Sequence, residues 1–191
     1  MNRRKAIGRL LLLSGAGLAA GAGFTWFRYY RKPALEELDG FKPMIEELAE
    51  TIIPETDTPG AKSAGAGEMI IRLVRECTPR NAQNRFLTGL ADVQDYARSR
   101  FGKPYMDCSE TEKDAVTAHF EIRDRTGKSL RDKAMNKLIG PAFFQTLKKY
   151  TVISYCTSRQ GATRGLQYDY LPGVYRGRIP LAAGQKSWAT S

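Results

Sequence analysis

Histidine is nearly absent from this chain. Its 191 residues hold one, His119, and three cysteines, Cys77, Cys108 and Cys156. A Ser-His-Asp or Cys-His arrangement would have to run through that single imidazole. A lone histidine on a helix flank is more often a surface or packing residue than a catalyst. No C-x-x-C-H occurs, so the chain attaches no c-type haem. The cysteines lie too far apart in sequence for a zinc or iron–sulfur pattern. No run shows apolar–polar alternation closed by a hairpin turn, so strands are not expected. Glu55 and Asp57 share a loop, but one or two loop acids hold a cation weakly, and a turn with a cap is the simpler reading. The sequence thus offers no catalytic, metal or cofactor residues.

Acidic residues are missing from the first 32 positions. Arg3, Arg4, Lys5, Arg9, Arg28, Arg31 and Lys32 stand there without a single Asp or Glu. The whole chain carries a formal charge of +10, with 30 Lys and Arg against 20 Asp and Glu, so that segment accounts for +7 and the rest for only +3. A body so nearly balanced has no strong electrostatic reason to bind phosphate backbones, and nucleic acid is not an expected partner.

The segment itself reads as an address. A basic opening, Asn2-Arg3-Arg4-Lys5, precedes an apolar stretch rich in Gly and Ala from Leu10 to Gly23. The adjacent Arg3 and Arg4 resemble a twin-arginine export signal, a route used by folded proteins. A Sec signal or a plain anchor is the alternative. Ala20-Gly21-Ala22 would serve as a cleavage site. Phe24-Thr25-Trp26-Phe27 prolongs the apolar run to about 20 residues, which just suffices to span a bilayer. Trp26, Tyr29 and Tyr30 beside Arg28, Arg31 and Lys32 suit an interfacial belt. Signal and anchor both remain open; either makes a periplasmic protein the expectation, and the uncleaved segment would anchor it to the inner membrane. Gly15-Ala16-Gly17-Leu18-Ala19-Ala20 matches a loose dinucleotide fingerprint. No strand precedes it and no βαβ unit follows, so no amides converge on a pyrophosphate there.

Beyond residue 32 the periodicity is helical. Phe41, Met44, Ile45, Leu48 and Ile52 share a face until Pro54 stops the run. A turn-rich stretch continues to Gly67. Met69, Ile70, Leu73 and Val74 predict a short second helix. Thr78-Pro79 reads as an N-cap followed by proline at the first helical position. Phe86, Leu90, Val93 and Ala97 predict a third helix ending near Gly102. Ser109-Glu110-Thr111-Glu112 has the form of a capping box opening a helix with Val116 and Phe120. Leu130, Ala134, Leu138 and Ile139 predict another, broken by Gly140-Pro141. Phe143, Phe144, Leu147, Tyr150 and Thr151 continue to about Ser158. The expected fold is all-α, a bundle of five to six helices over residues 33–160, after a leader over 1–32.

Residues 161–191 change character. Gly161, Gly165, Gly173, Gly177 and Gly184 exclude a stable helix, while Tyr168, Tyr170, Tyr175 and Trp188 supply aromatics of the kind that fill interface cores. An extended tail is expected, lying on its own bundle, on a partner, or on both. An oxidising compartment favours a disulfide. Cys77 and Cys108 flank the third helix, so a Cys77–Cys108 bridge is expected if the loops fold back along it. Cys156, inside a helix, reads as a buried thiol.

Two stretches carry a resemblance. Ile53-Pro54-Glu55-Thr56-Asp57-Thr58-Pro59-Gly60-Ala61 is similar to the opening motif of the gluconate 2-dehydrogenase subunit 3 family. So is the closing stretch, with Tyr150-Thr151, Tyr155, Thr157-Ser158, Gly161-Ala162-Thr163, Tyr168, Pro172-Gly173-Val174-Tyr175, Ile179-Pro180-Leu181 and Gly184-Gln185-Lys186-Ser187-Trp188-Ala189. Cys156 with Arg159-Gln160 departs from the expected pattern. The resemblance covers about residues 35–190. It implies a non-catalytic small subunit that pairs with a large flavoprotein of the glucose-methanol-choline class. The partner holds FAD and substrate, often passes electrons to a multihaem cytochrome c, and in several systems is exported bound to the small subunit. Related complexes oxidise gluconate, glucose, fructose or the 3-hydroxyl of glycosides. The competing expectation is a stand-alone periplasmic binding or structural protein anchored by its N-terminus.

Overall fold

The structure is a computed structural model and describes residues 29–125, 136–169, 173, 178, 180 and 183–189. Six α-helices lie wholly within the described residues: α1 (Glu37–Gly40), α2 (Lys42–Ile52), α3 (Ala66–Cys77), α4 (Arg80–Phe101), α5 (Glu110–Arg123) and α6 (Phe143–Thr157), and residues 136–139 are helical as well. A 3₁₀ turn, Tyr105–Asp107, joins α4 to α5, and a π-helical turn, Gly161–Gly165, follows α6. No strand occurs among the described residues beyond an isolated parallel bridge between Gln167 and Trp188. The all-α bundle read from the sequence is present.

The apolar stripes meet as their spacing requires. Met44, Ile45 and Leu48 of α2, Ile70 and Val74 of α3, Phe86, Leu90, Val93 and Ala97 of α4, and Val116 and Phe120 of α5 form one core. α6 is its hub and packs on α2, α3, α4 and α5. A helix surrounded in this way must bury more than a stripe. Accordingly Phe143, Phe144, Thr146, Leu147, Thr151, Ser154 and Tyr155 are all buried. The Phe143 ring lies 5.3 Å from Phe86 and 6.0 Å from Phe120, tilted and edge-on, which suits the ring quadrupoles.

Local signals hold at most boundaries. Ser109 and Glu112 form the capping box, with the Ser109 amide 2.7 Å from the Glu112 carboxylate. Gly102 closes α4 in the left-handed region. Thr78 differs from expectation. It ends α3 rather than capping α4, because its hydroxyl lies 2.9 Å from the Leu73 carbonyl, to which it can donate, and 2.8 Å from the Tyr150 hydroxyl. Pro79 takes the N-cap position of α4 without a side-chain bond. Leu138, read as a core position, is 59% exposed, whereas Ile139 is buried. Leu130 and Ala134 lie outside the described residues. The first five residues of the supposed extended tail are helical, because the Leu166 amide donates to the Gly161 carbonyl at 2.8 Å, a π-type bond.

The three cysteines are free, with Cys77 exposed, Cys108 buried and Cys156 half-buried. The expected Cys77–Cys108 bridge is thus not formed. Cys77 ends α3 just before α4 begins, and Cys108 follows its far end. A helix of 22 residues rises about 33 Å, and the connecting turns do not fold back along it. The Cys108 thiol instead points at the Pro104 carbonyl, 3.5 Å away, and burial raises its pKa.

The helices define two poles. α2 and α3 are antiparallel partners joined by the 53–65 loop at one pole. α6 runs towards that same pole, since Thr78 beyond the other end of α3 meets Tyr150. At the opposite pole lie Cys77, the start of α4, residues 136–141 and the first described residues. There Asn84 donates to the carbonyls of Tyr29 (2.9 Å) and Arg31 (2.7 Å).

Candidate partner-docking site

The loop after α2 is organised by one carboxylate. Glu50, in the last turns of α2, accepts the Glu55 amide at 2.7 Å and the Lys62 amide at 2.8 Å, one on each oxygen. The Ala61 amide donates to the Ile53 carbonyl at 2.9 Å and closes the base. Gly60 is buried beneath this clamp. A Cβ there would stand 2.1 Å from Glu50 Oε1, so only glycine lets the carboxylate in. Thr56 and Thr58 turn the tip, the Thr56 hydroxyl donating to Asp57 at 3.0 Å. Glu55 and Asp57 therefore take part in turn geometry.

Glu47, one turn earlier, ties the same loop to the bundle. Its carboxylate pairs with the ammonium of Lys62 and, at 2.7 Å, with that of Lys113 on α5. The Lys113 bond, then the Lys62 bond, holds its pKa below the ordinary 4.5, against the opposing effect of burial. Behind them the Tyr105 ring is fully buried, and desolvation pushes its hydroxyl up to about 12. That oxygen lies near the hydroxyls of Thr51 and Thr117 but forms no well-directed hydrogen bond with protein.

The π turn brings the second segment alongside. The Ser158 hydroxyl, donating to Tyr155 O at 2.8 Å, receives the Gly161 amide at 2.9 Å. Cβ atoms on Gly161 and Gly165 would stand 2.0 Å from the Tyr155 carbonyl and 2.2 Å from its hydroxyl. Glycine is needed here for close approach rather than for flexibility. The tail then returns: Gln167 and residues 187–189 exchange two backbone bonds of 2.8 Å, and Lys186 donates to the Arg164 carbonyl.

Between these segments lies an open cleft of about 640 Å³. Glu55 to Pro59 and Ser63 form one wall, and Gln160, Thr163, Arg164 and Lys186 the other. Glu55, Asp57, Arg164 and Lys186 are exposed, and no ion pair spans the cleft among the described residues. Acids on one wall face bases on the other, and both remain available to a third body. The cleft holds no nucleophile matched to a base. Its exposed charges have the form that charge-assisted hydrogen bonds require.

The remaining candidates fall elsewhere. His119 stacks on Tyr96, with centroids 4.0 Å apart, as a packing residue does. Tyr168 and Trp188 are 46% and 42% exposed, beside the bridge at Gln167. Arg3, Arg4, Tyr170 and Tyr175 lie outside the described residues. Glu50, Glu47, Lys62 and Lys113 have no motif of their own. The one signal within reach was an acid one turn before a turn-rich stretch.

The two walls of the cleft come from the two regions that carried the resemblance, Glu55 to Pro59 from the first and Thr163 and Lys186 from the second, more than 90 residues apart in the chain. No curated protein and no solved structure matches the chain. The profile described as gluconate 2-dehydrogenase subunit 3 matches residues 42–173, about two thirds of the chain. It takes in all of α2 to α6, the 53–65 loop and the π turn. The chain therefore belongs to the gluconate 2-dehydrogenase subunit 3 family.

Proposed function

We propose that this chain is the non-catalytic small subunit of an exported, FAD-dependent sugar or polyol dehydrogenase, and that it folds, stabilises and co-exports the large flavoprotein of the glucose-methanol-choline class. The observation that carries the reading is the convergence of the two motif segments on one charged cleft. Segments far apart in sequence meet there without an active-site constellation, and a docking surface has that form. In this reading FAD and substrate belong to the partner, and a c-type cytochrome takes the electrons. The complex is periplasmic, with twin arginines at Arg3 and Arg4 as the export signal and Tyr168, Tyr170, Tyr175 and Trp188 extending the contact.

Co-expression with the flavoprotein tests it. Reversing Arg164 and Lys186 to Glu together should lower the co-purified flavoprotein by about tenfold or more, as loss of close interfacial charge pairs does. The circular dichroism of the small subunit should be unchanged. Wild-type recovery of the complex would count against the cleft. A chain that never co-purifies with a flavoprotein would favour the stand-alone anchored protein instead.

A further inference from the structure

The pole opposite the cleft carries its own pattern, independent of the docking proposal. Residues 1–28, apolar from Leu10 to Phe27 apart from small polar positions, lead into the body at Tyr29. That point is fixed by Asn84, which holds the Tyr29 and Arg31 carbonyls, and by Tyr30, whose hydroxyl donates to the Leu138 carbonyl. Asn81 donates to the same Leu138 carbonyl at 3.1 Å, so chain start, α4 and the 136–141 segment, helical over 136–139, form one surface. Arg31, Lys32, Arg80, Lys137 and Lys149 are exposed on or beside it. None has an acidic partner among the described residues. Among the described residues the neighbouring Asp39 and Glu76 are taken by Arg75 and Arg72, and Glu36 and Glu37 are exposed without an ion pair. On this surface Leu138, next to Lys137, is 59% exposed although its neighbour Ile139 is buried.

We infer that this pole lies on an anionic lipid surface, with Leu138 and Tyr30 at headgroup depth and the five bases over the phosphates. Basic residues beside a membrane-directed segment are drawn to anionic headgroups, and the attraction decays within a Debye length. An exposed leucine on a surface that also carries unpaired bases suits lipid better than water, and aromatic residues at the chain's point of departure suit the interface. The cleft, at the far end of the bundle, then faces away from the bilayer and stays open to a soluble partner.

The full chain is reconstituted with vesicles of phosphatidylcholine alone or mixed with phosphatidylglycerol, each with a headgroup-level nitroxide quencher. A fluorophore is placed at Leu138→Cys or at Asp57→Cys, with Cys77 and Cys156 replaced by Ser. Quenching at 138 should be strong in anionic vesicles, about twofold or more weaker in neutral ones, and relieved by salt. The label at 57 should not be quenched. Reversing Arg31, Lys32, Arg80 and Lys137 to Glu, with the leader unchanged, should abolish quenching at 138. The lipid and salt comparisons use no charge variant, so they stand if that variant misfolds. Failure to bind, equal quenching at 57 and 138, or indifference to lipid charge would overturn the inference. So would loss of lipid contact at 138 on adding the flavoprotein, which would make this pole a protein interface.

Discussion

Glu50 gathers two backbone amides that the 53–65 loop would otherwise leave to water. Hydrogen bonds to a charged group are worth about 1.5–3 kcal/mol each when well shielded, and less at a half-exposed site. Glu50→Ala should therefore lower stability by about 1–2 kcal/mol in urea titration and raise amide exchange across 53–62. Glu50→Gln should fall between, because its amide end is a donor facing a donor. Glu47 makes a pH prediction. Its folded pKa lies below the ordinary value, so its contribution is complete above about pH 4.5 and is lost as pH falls through the lower folded value. Unfolding midpoints should thus drop on acidification below that point, and Glu47→Gln should flatten the drop. A variant with the wild-type slope would show that the Lys62 and Lys113 pairs contribute little. Neither role could be read from the sequence, since nothing in the spacing of Glu46, Glu47 and Glu50 says which acid turns inward.

At the scale of elements, caps were legible where they are local. The Ser109–Glu112 pair closes within four residues, and Ser109→Ala should cost about 1 kcal/mol, measurable by thermal unfolding. The start of α6 at Phe143 was legible from the Gly140-Pro141 break, but what satisfies its first amides was not. Ala142 gives it no side-chain cap. Asp124, beyond the end of α5, accepts the Phe144 amide at 3.0 Å from twenty residues away. Thr78 was misread for a related reason. Its hydroxyl could cap forwards or close backwards, and contact with Tyr150 on another helix decides. The π turn was missed because five glycines in the last 31 residues suggest an extended chain, whereas Gly161 and Gly165 lie against Tyr155. Gly165→Ala drives a methyl into a buried tyrosine hydroxyl and should cost about 1–3 kcal/mol, as overpacking does. The same change at Gly184, which meets nothing within 4 Å but has φ +74°, tests backbone strain instead.

For the whole molecule, core and tail separate. Among the described residues the buried core cluster ends at Leu147, and none of those after Ser158 belongs to it. Truncation after Ser158 should therefore keep the helical circular dichroism while removing one wall of the cleft, so flavoprotein capture should be lost. Capture at wild-type yield by the truncated chain would place the contact elsewhere. Arg3 and Arg4 replaced together by Lys should hold this chain, and the flavoprotein with it, in the cytoplasm. Periplasmic dehydrogenase activity at the wild-type level would contradict co-export.

The sequence by itself determined the helical class, most helix boundaries and the family likeness, because a 3.6-residue period, a capping box and a nine-residue motif are all set by near neighbours. Tertiary structure alone decided that the two motif segments share a cleft, that Glu50 fills the space above Gly60, and that Cys77 and Cys108 stay apart at opposite ends of α4. Those facts depend on how antiparallel helices place residues separated by ten to more than a hundred positions, and no local pattern encodes that distance.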